Sequence, residues 1–178
     1  MPVAGAGGTS DPPGGGGEGG EAAPDPLENA RAEYLGWTKR TEVPVNISTE
    51  IFTLCRGPTA AEQAFVESEH GDDLYLLDWL NVEAASGFEA AAAKPFPAGA
   101  AIVKEKLVRT GDDYELVALG IMVKRDAGFD PPRGDWEFGY WNADSGMGSG
   151  AEENAYCGGC HAGSATDFVF LDGSWRTP

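Results

Sequence analysis

Basic residues are scarce in this 178-residue sequence, 12 lysines and arginines against 29 acids, for a formal net charge of −17. A surface this negative repels polyanions, which makes nucleic acid and anionic membrane poor partners, whereas a basic protein partner fits the sign. Charge of this kind also serves solubility alone. Cysteine is scarce too. Three residues, Cys55, Cys157 and Cys160, are no disulfide framework of the sort that staples small secreted domains. No apolar run is long enough for a membrane-spanning helix. The first stretch, Met1 to about Pro26, lacks large apolar side chains; Gly, Pro, Ala and acids dominate it. Such a composition cannot offset the entropy of its own ordering and is expected to be a flexible tether over 1–26. About 150 residues, 27–178, remain for one compact domain with a real core.

Within that domain, Leu27 to Trp37 puts Leu27, Ala30, Tyr34 and Trp37 near helical spacing. Thr59 to Glu67, after Pro58, and the Ala-rich Glu83 to Lys94, stopped by Pro95 and Pro97, are also predicted helices. The period then becomes two. Leu74–Val82, Ala100–Arg109, Tyr114–Arg125 and Asp135–Trp141 are β-branched and aromatic, with turn residues in three of the gaps, and predict strands. The Gly111 turn pairs the second of these with the third, and Phe168-Val169-Phe170 is a candidate last strand. The fold class expected is α+β, mainly antiparallel sheet with a few short helices. The oligomeric state is left open, a homodimer included.

What the sequence does have is Cys157-Gly158-Gly159-Cys160-His161. Two thiols at positions 1 and 4 of a tight turn can reach the two vinyl groups on one porphyrin edge, and the next residue then lies under the iron. Gly158 and Gly159 add no bulk where the backbone would pass close to the macrocycle. One covalent haem c, held by Cys157 and Cys160 with His161 as axial ligand, is the favoured expectation. A zinc site completed by Cys55 and His70 competes, but those two are fifteen residues apart rather than a clean second half-site. Met122, Met147 and His70 are candidates for the opposite axial position, although a methionine is more often core filler. An open position is favoured, and it implies chemistry or gas binding rather than electron carriage. The motif stands near the C-terminal end of a β-rich domain, unlike the helical electron-transfer cytochromes.

Phe96-Pro97 with Gly99, Ile102-Val103-Lys104-Glu105, Met122-Val123-Lys124-Arg125, Gly134-Asp135-Trp136-Glu137, the haem motif and Asp167-Phe168-Val169-Phe170 follow one another in an order that resembles the cytochrome P460 family. That family includes the β-sheet cytochromes c′, and the resemblance runs from about Ile51 to Phe170. It implies an antiparallel sheet with helices and a five-coordinate iron held by the motif histidine. It further implies either hydroxylamine oxidation, with a lysine bonded to the porphyrin edge, or binding of nitric oxide or carbon monoxide without turnover. The lysine of the V-K-E strand is Lys104 here. By alternation Ile102, Lys104 and Lys106 share one face, so Ile102 facing the haem brings Lys104 inward, where burial would free its amine. Taken alone, a lysine on an amphipathic strand more often reaches solvent. For the carboxylate that accepts protons from hydroxylamine, Glu152 and Glu153 are the candidates and Glu137 a poorer one, each otherwise a solvated acid. Haem c is attached outside the bacterial cytoplasm, so a periplasmic or exported protein is expected. A lipoprotein tether is one form of this, with a signal segment lost or lying upstream of the residues given.

Overall fold

β-Branched and aromatic runs dominate the middle of the chain, and the chain accordingly builds a sheet there. The computed structural model describes residues 24–47, 73–89, 95–164 and 166–170. The predicted helix Thr59–Glu67, the end of Glu83–Lys94, Cys55, His70 and nearly all of the expected tether lie outside those residues. In chain order the elements are α1 (Pro26–Glu33) with a 3-10 turn at Tyr34–Gly36, β1 (Thr38–Lys39), β2 (Val45–Ile47), β3 (Leu74–Leu80), α2 (Val82–Glu89), β4 (Ala101–Thr110), β5 (Asp113–Lys124), β6 (Trp136–Asn142), β7 (Gly146–Ser149) and α3 (Ala151–His161). All described pairings are antiparallel, in the order β1-β3-β4-β5-β6-β7, with β2 also on β3. This is the expected α+β class.

Local chemistry explains the boundaries. Asp25 caps α1 by accepting from the Leu27 amide at 2.8 Å, and Pro26 opens the helix where no amide is needed. Asn81 ends β3 early: its side-chain oxygen accepts from the amides of Ala84 and Ala101, so the predicted strand stops at Leu80 and Val82 begins α2. The Gly111 hairpin joins β4 to β5 as expected, with Gly111 in the left-handed region.

Two expectations need correction. Met147 sits in a strand, β7, rather than a loop; its glycine neighbours hide the period that identifies strands. Phe168-Val169-Phe170 is not a strand, because Asp167 and Phe168 have φ of 43° and 64°, which breaks extended backbone.

The sheet has two unlike faces. Leu77, Trp79, Val103, Leu107, Leu119, Ile121 and Val123 point one way and are covered by Leu27, Ala30 and Tyr34 of the N-terminal helix and turn. Alternate residues point the other way, where Leu80, Ile102, Met122, Trp136 and Phe138 pack with Ala84, Phe96, Cys157 and Val169. Asn154 ties α3 to this second face. Its side chain accepts from the Phe138 amide at 2.7 Å, at the point where the β6–β7 ladder has ended.

Candidate functional site

The register of four strands sets the site. Asp78, Lys104, Gly120 and Tyr140 stand in one row across β3, β4, β5 and β6, next to the row Leu80, Ile102, Met122, Phe138. Gly120 has no side chain, and a Cβ built there would meet only the Lys104 Cβ, at 3.9 Å. A bare patch therefore opens in the middle of an otherwise packed face. Above it lies an open cleft, whose empty space together with the solvent at its mouth is about 590 Å³. Ile102, Met122, Phe138 and Phe170 give it apolar walls, while Asp78, Lys104 and His161 supply polar groups.

Helix α3 brings the haem motif to this cleft as its last turn rather than as a tight turn. Cys157 and His161 are four residues apart, share one helix face, are buried, and both line the cleft. Cys160 is exposed. Gly158 has a local packing reason as well. A Cβ on Gly158 would come within 2.5 Å of the Arg133 side chain, which crosses the helix there and is held by Asp130 at 2.8 Å, whereas Gly159 has open space.

His161 is fixed on three sides. Phe138 and Phe170 flank the imidazole, with centroids 5.2 and 5.4 Å away. Nδ1 lies 2.7 Å from the Phe168 carbonyl oxygen. A carbonyl can only accept, so Nδ1 carries the proton and Nε2 keeps its lone pair for a metal.

Opposite Lys104 across the ladder stands Asp78, a carboxylate with 3% exposure inside an apolar strand. One oxygen is held by Arg40 at 3.4 Å, and the Arg40 guanidinium rests on the Phe88 ring. The other oxygen is buried without a hydrogen-bond partner. A buried charge left half-satisfied is costly, and such atoms often mark a place where a ligand completes the set.

The acids singled out from sequence lie elsewhere. Glu152 is exposed and Glu153 half-buried in the first turn of α3, where their charge favours the helix N-terminus. Glu153 leans over Gly148 of β7. Glu137 pairs with Arg125. None of the three lines the cleft. Lys104 does line it, half-buried, with Ile102 beside it on the expected face. Met122 also lines the cleft, while Met147 packs against the α1 side of the sheet. Among the described residues no three His, Cys, Asp or Glu gather into a metal cage. Asp78 went unremarked in sequence, although a signal was present. It is the one charge in Leu-Tyr-Leu-Leu-Asp-Trp-Leu, and it has the same parity as Leu76 and Leu80.

The residues suit haem. An apolar cleft on a bare glycine, a histidine with its free nitrogen defined, and a buried thiol one turn away are the donor set and the walls that a porphyrin requires. No curated protein matches the chain. The profile of one family, cytochrome P460, matches residues 79–171, a span that takes in Lys104, Gly120, the haem motif and Phe170. The chain therefore belongs to the cytochrome P460 family and is a haem protein of that kind.

Proposed function

We propose that this is an exported, mono-haem c-type protein that oxidises hydroxylamine. In this reading Cys157 and Cys160 would hold the haem by thioether bonds, His161 Nε2 would ligate the iron, and the iron would take up the substrate. The observation that carries the reading is the pairing of Lys104 with Asp78 on the sheet face that shares its cleft with His161. Haem supplies an electrophilic iron and a route for electrons. The chain's own residues do the rest. The Phe168 carbonyl keeps the His161 proton on Nδ1. Arg40 holds one Asp78 oxygen, which leaves the other to accept a proton from an N–H or O–H of the substrate. Lys104 lines the same cleft and would supply the amine for the covalent bond implied by the family resemblance. Electrons then leave to an acceptor, and the charge of −17 supports a basic redox protein in that role.

A second reading is binding of nitric oxide or carbon monoxide without turnover. Its support is the mostly apolar lining of the cleft, with Ile102, Met122, Phe138 and Phe170, which suits an uncharged diatomic. Two measurements on one preparation decide. Acid-acetone extraction should leave the pyridine haemochrome absorbance on the protein; extractable haem, or zinc near one per chain, removes the c-type assignment. Steady-state hydroxylamine oxidation with an artificial acceptor should then show turnover. A fully haem-loaded sample without turnover assigns the chain to gas binding.

A further inference from the structure

Four of the sequence segments noted above meet around a single lysine. Lys124, the last residue of β5, is 8% exposed. Its ammonium donates to Asp167 Oδ1 at 2.9 Å, to Asp167 Oδ2 at 2.8 Å and to the Gly134 carbonyl at 2.6 Å, which accounts for all three of its protons. Asp167 is held from two further directions. Its Oδ2 accepts from the Phe96 amide at 2.7 Å, and its backbone carbonyl accepts from Trp136 Nε1 at 2.8 Å. Trp136 itself is completely buried.

This degree of anchoring has a consequence one residue on. Asp167 and Phe168 both occupy the left-handed region, which side-chain-bearing residues adopt with difficulty, and two in succession need an external constraint. Local bonds help: Val169 N–H reaches the Thr166 carbonyl, and the Ser164 hydroxyl reaches the Val169 carbonyl. Those bonds close the loop on itself. They do not tie it to the sheet. Lys124–Asp167 and the Trp136 Nε1 bond to the Asp167 carbonyl tie it to the sheet, and of these the ion pair fixes the side chain of the strained turn that aims the Phe168 carbonyl at His161 Nδ1.

We infer that Lys124 and Asp167 are positioning residues for the axial ligand: through the Asp167–Phe168 turn, their buried ion pair presses a carbonyl onto His161 and so sets the electron donation of Nε2 to the iron. The inference rests on the reading of His161 as the haem ligand. The physics is that of any ligating histidine. A well-aimed acceptor at the outer nitrogen fixes the ring and raises its basicity, which favours the more positive oxidation state of the metal. Loosening that acceptor disfavours ferric iron.

The test is a redox titration of the haem-loaded, full-length protein and of its Lys124→Met and Asp167→Asn variants. Both variants should show a raised reduction potential, by about 59 mV for each tenfold change in the ferric-to-ferrous ratio at fixed potential. Lys124→Arg, which keeps the charge and the donors, should recover most of the shift. Tyr34→Phe on the far face of the sheet serves as the control for lost stability alone and should leave the potential where it was. Asp167→Asn keeps the side-chain shape and one acceptor for the Phe96 amide, so it carries the measurement if Lys124→Met fails to fold. Potentials that ignore residues 124 and 167 in intact holoprotein overturn the inference, and so does an equal shift in Tyr34→Phe. Failure of the haem reading looks different: the unmutated protein would then carry no covalent haem at all.

Discussion

The two faces of the sheet are made by the same strands and differ in almost every other respect. On β4, Val103 and Leu107 face the N-terminal helix and Ile102 and Lys104 face the cleft, one residue out of step. The helix-covered face is closed and mostly apolar; its described buried side-chain hydrogen bond joins Tyr34 to Glu105, and the one described side-chain polar atom left without a hydrogen-bond partner there is the uncharged Trp79 Nε1. The cleft face gives up packing at Gly120 and tolerates a buried carboxylate oxygen with no partner. One face is therefore filled for stability and the other holds the cleft, and a period of two lets a single strand serve both. Stability sacrificed on one side of a sheet can be tolerated because the other side is filled.

The comparison breaks most visibly at Asp78. Asp78→Asn keeps the size of the side chain and a contact for Arg40 but removes the proton acceptor. Hydroxylamine turnover is expected to fall by about 10²- to 10⁴-fold, the usual worth of a positioned acid or base. Haem content should stay at the level of the unmutated protein. Turnover within threefold of the original would take Asp78 out of the chemistry and leave its free oxygen unexplained.

Leu119→Ala is the matching test on the closed face. Leu119 is 2% exposed, and deleting such a side chain costs about 2–5 kcal/mol. The loss is read from urea midpoints, and the haem spectrum of the folded variant should not move. A spectral change comparable with that of a cleft variant would show that the two faces are coupled.

Lys104→Ala has a smaller energetic effect and a sharper signature. A nitrogen bonded to the porphyrin edge perturbs the conjugated system, so the unmutated ferrous protein should have a Soret band far to the red of an ordinary c-type haem. The variant should return it to the ordinary position, and peptide mass spectrometry should find the Lys104 peptide joined to the haem peptide before mutation only. An ordinary ferrous spectrum in the unmutated protein, with the Lys104 peptide free, removes the bond and favours the gas-binding reading.

Much of this division was legible in the sequence, and the gaps have physical causes. The four long strands were readable because they are β-branched and aromatic runs of seven or more residues with turn residues in the gaps between them. The strands β1 and β2, two and three residues long, are too short to show a period, and β7 is half glycine. The helix carrying the haem motif was hidden by Gly158 and Gly159, each unfavourable in a helix by about 1 kcal/mol relative to alanine. Its start explains Glu152 and Glu153, which look like site acids when the motif is taken as a loop and like first-turn acids once the helix is seen. Asp78 was hidden differently. Strand parity marks it as inward-facing, but its pairing with Arg40 joins residues 38 apart in sequence, and only the fold supplies that contact.

The smallest predicted effect concerns the Tyr34–Glu105 pair of the closed face. The Tyr34 hydroxyl donates to Glu105 Oε1 at 3.0 Å, and burial, reinforced by the Glu105 charge, pushes the phenol pKa well above its usual value. The folded state thus holds this proton more tightly than the unfolded chain does. Its contribution to stability is complete below about pH 10, where an unfolded tyrosine begins to ionise, and is lost as the pH rises from there toward the folded value. Tyr34→Phe should cost about 1–3 kcal/mol near neutral pH, because Glu105 loses its donor inside the core. Above pH 10 the unmutated protein should weaken more steeply than the variant, and the gap between their urea midpoints should narrow. A gap that stays constant from pH 8 to 11 would mean that the phenol titrates alike in both states and that the pair contributes packing alone.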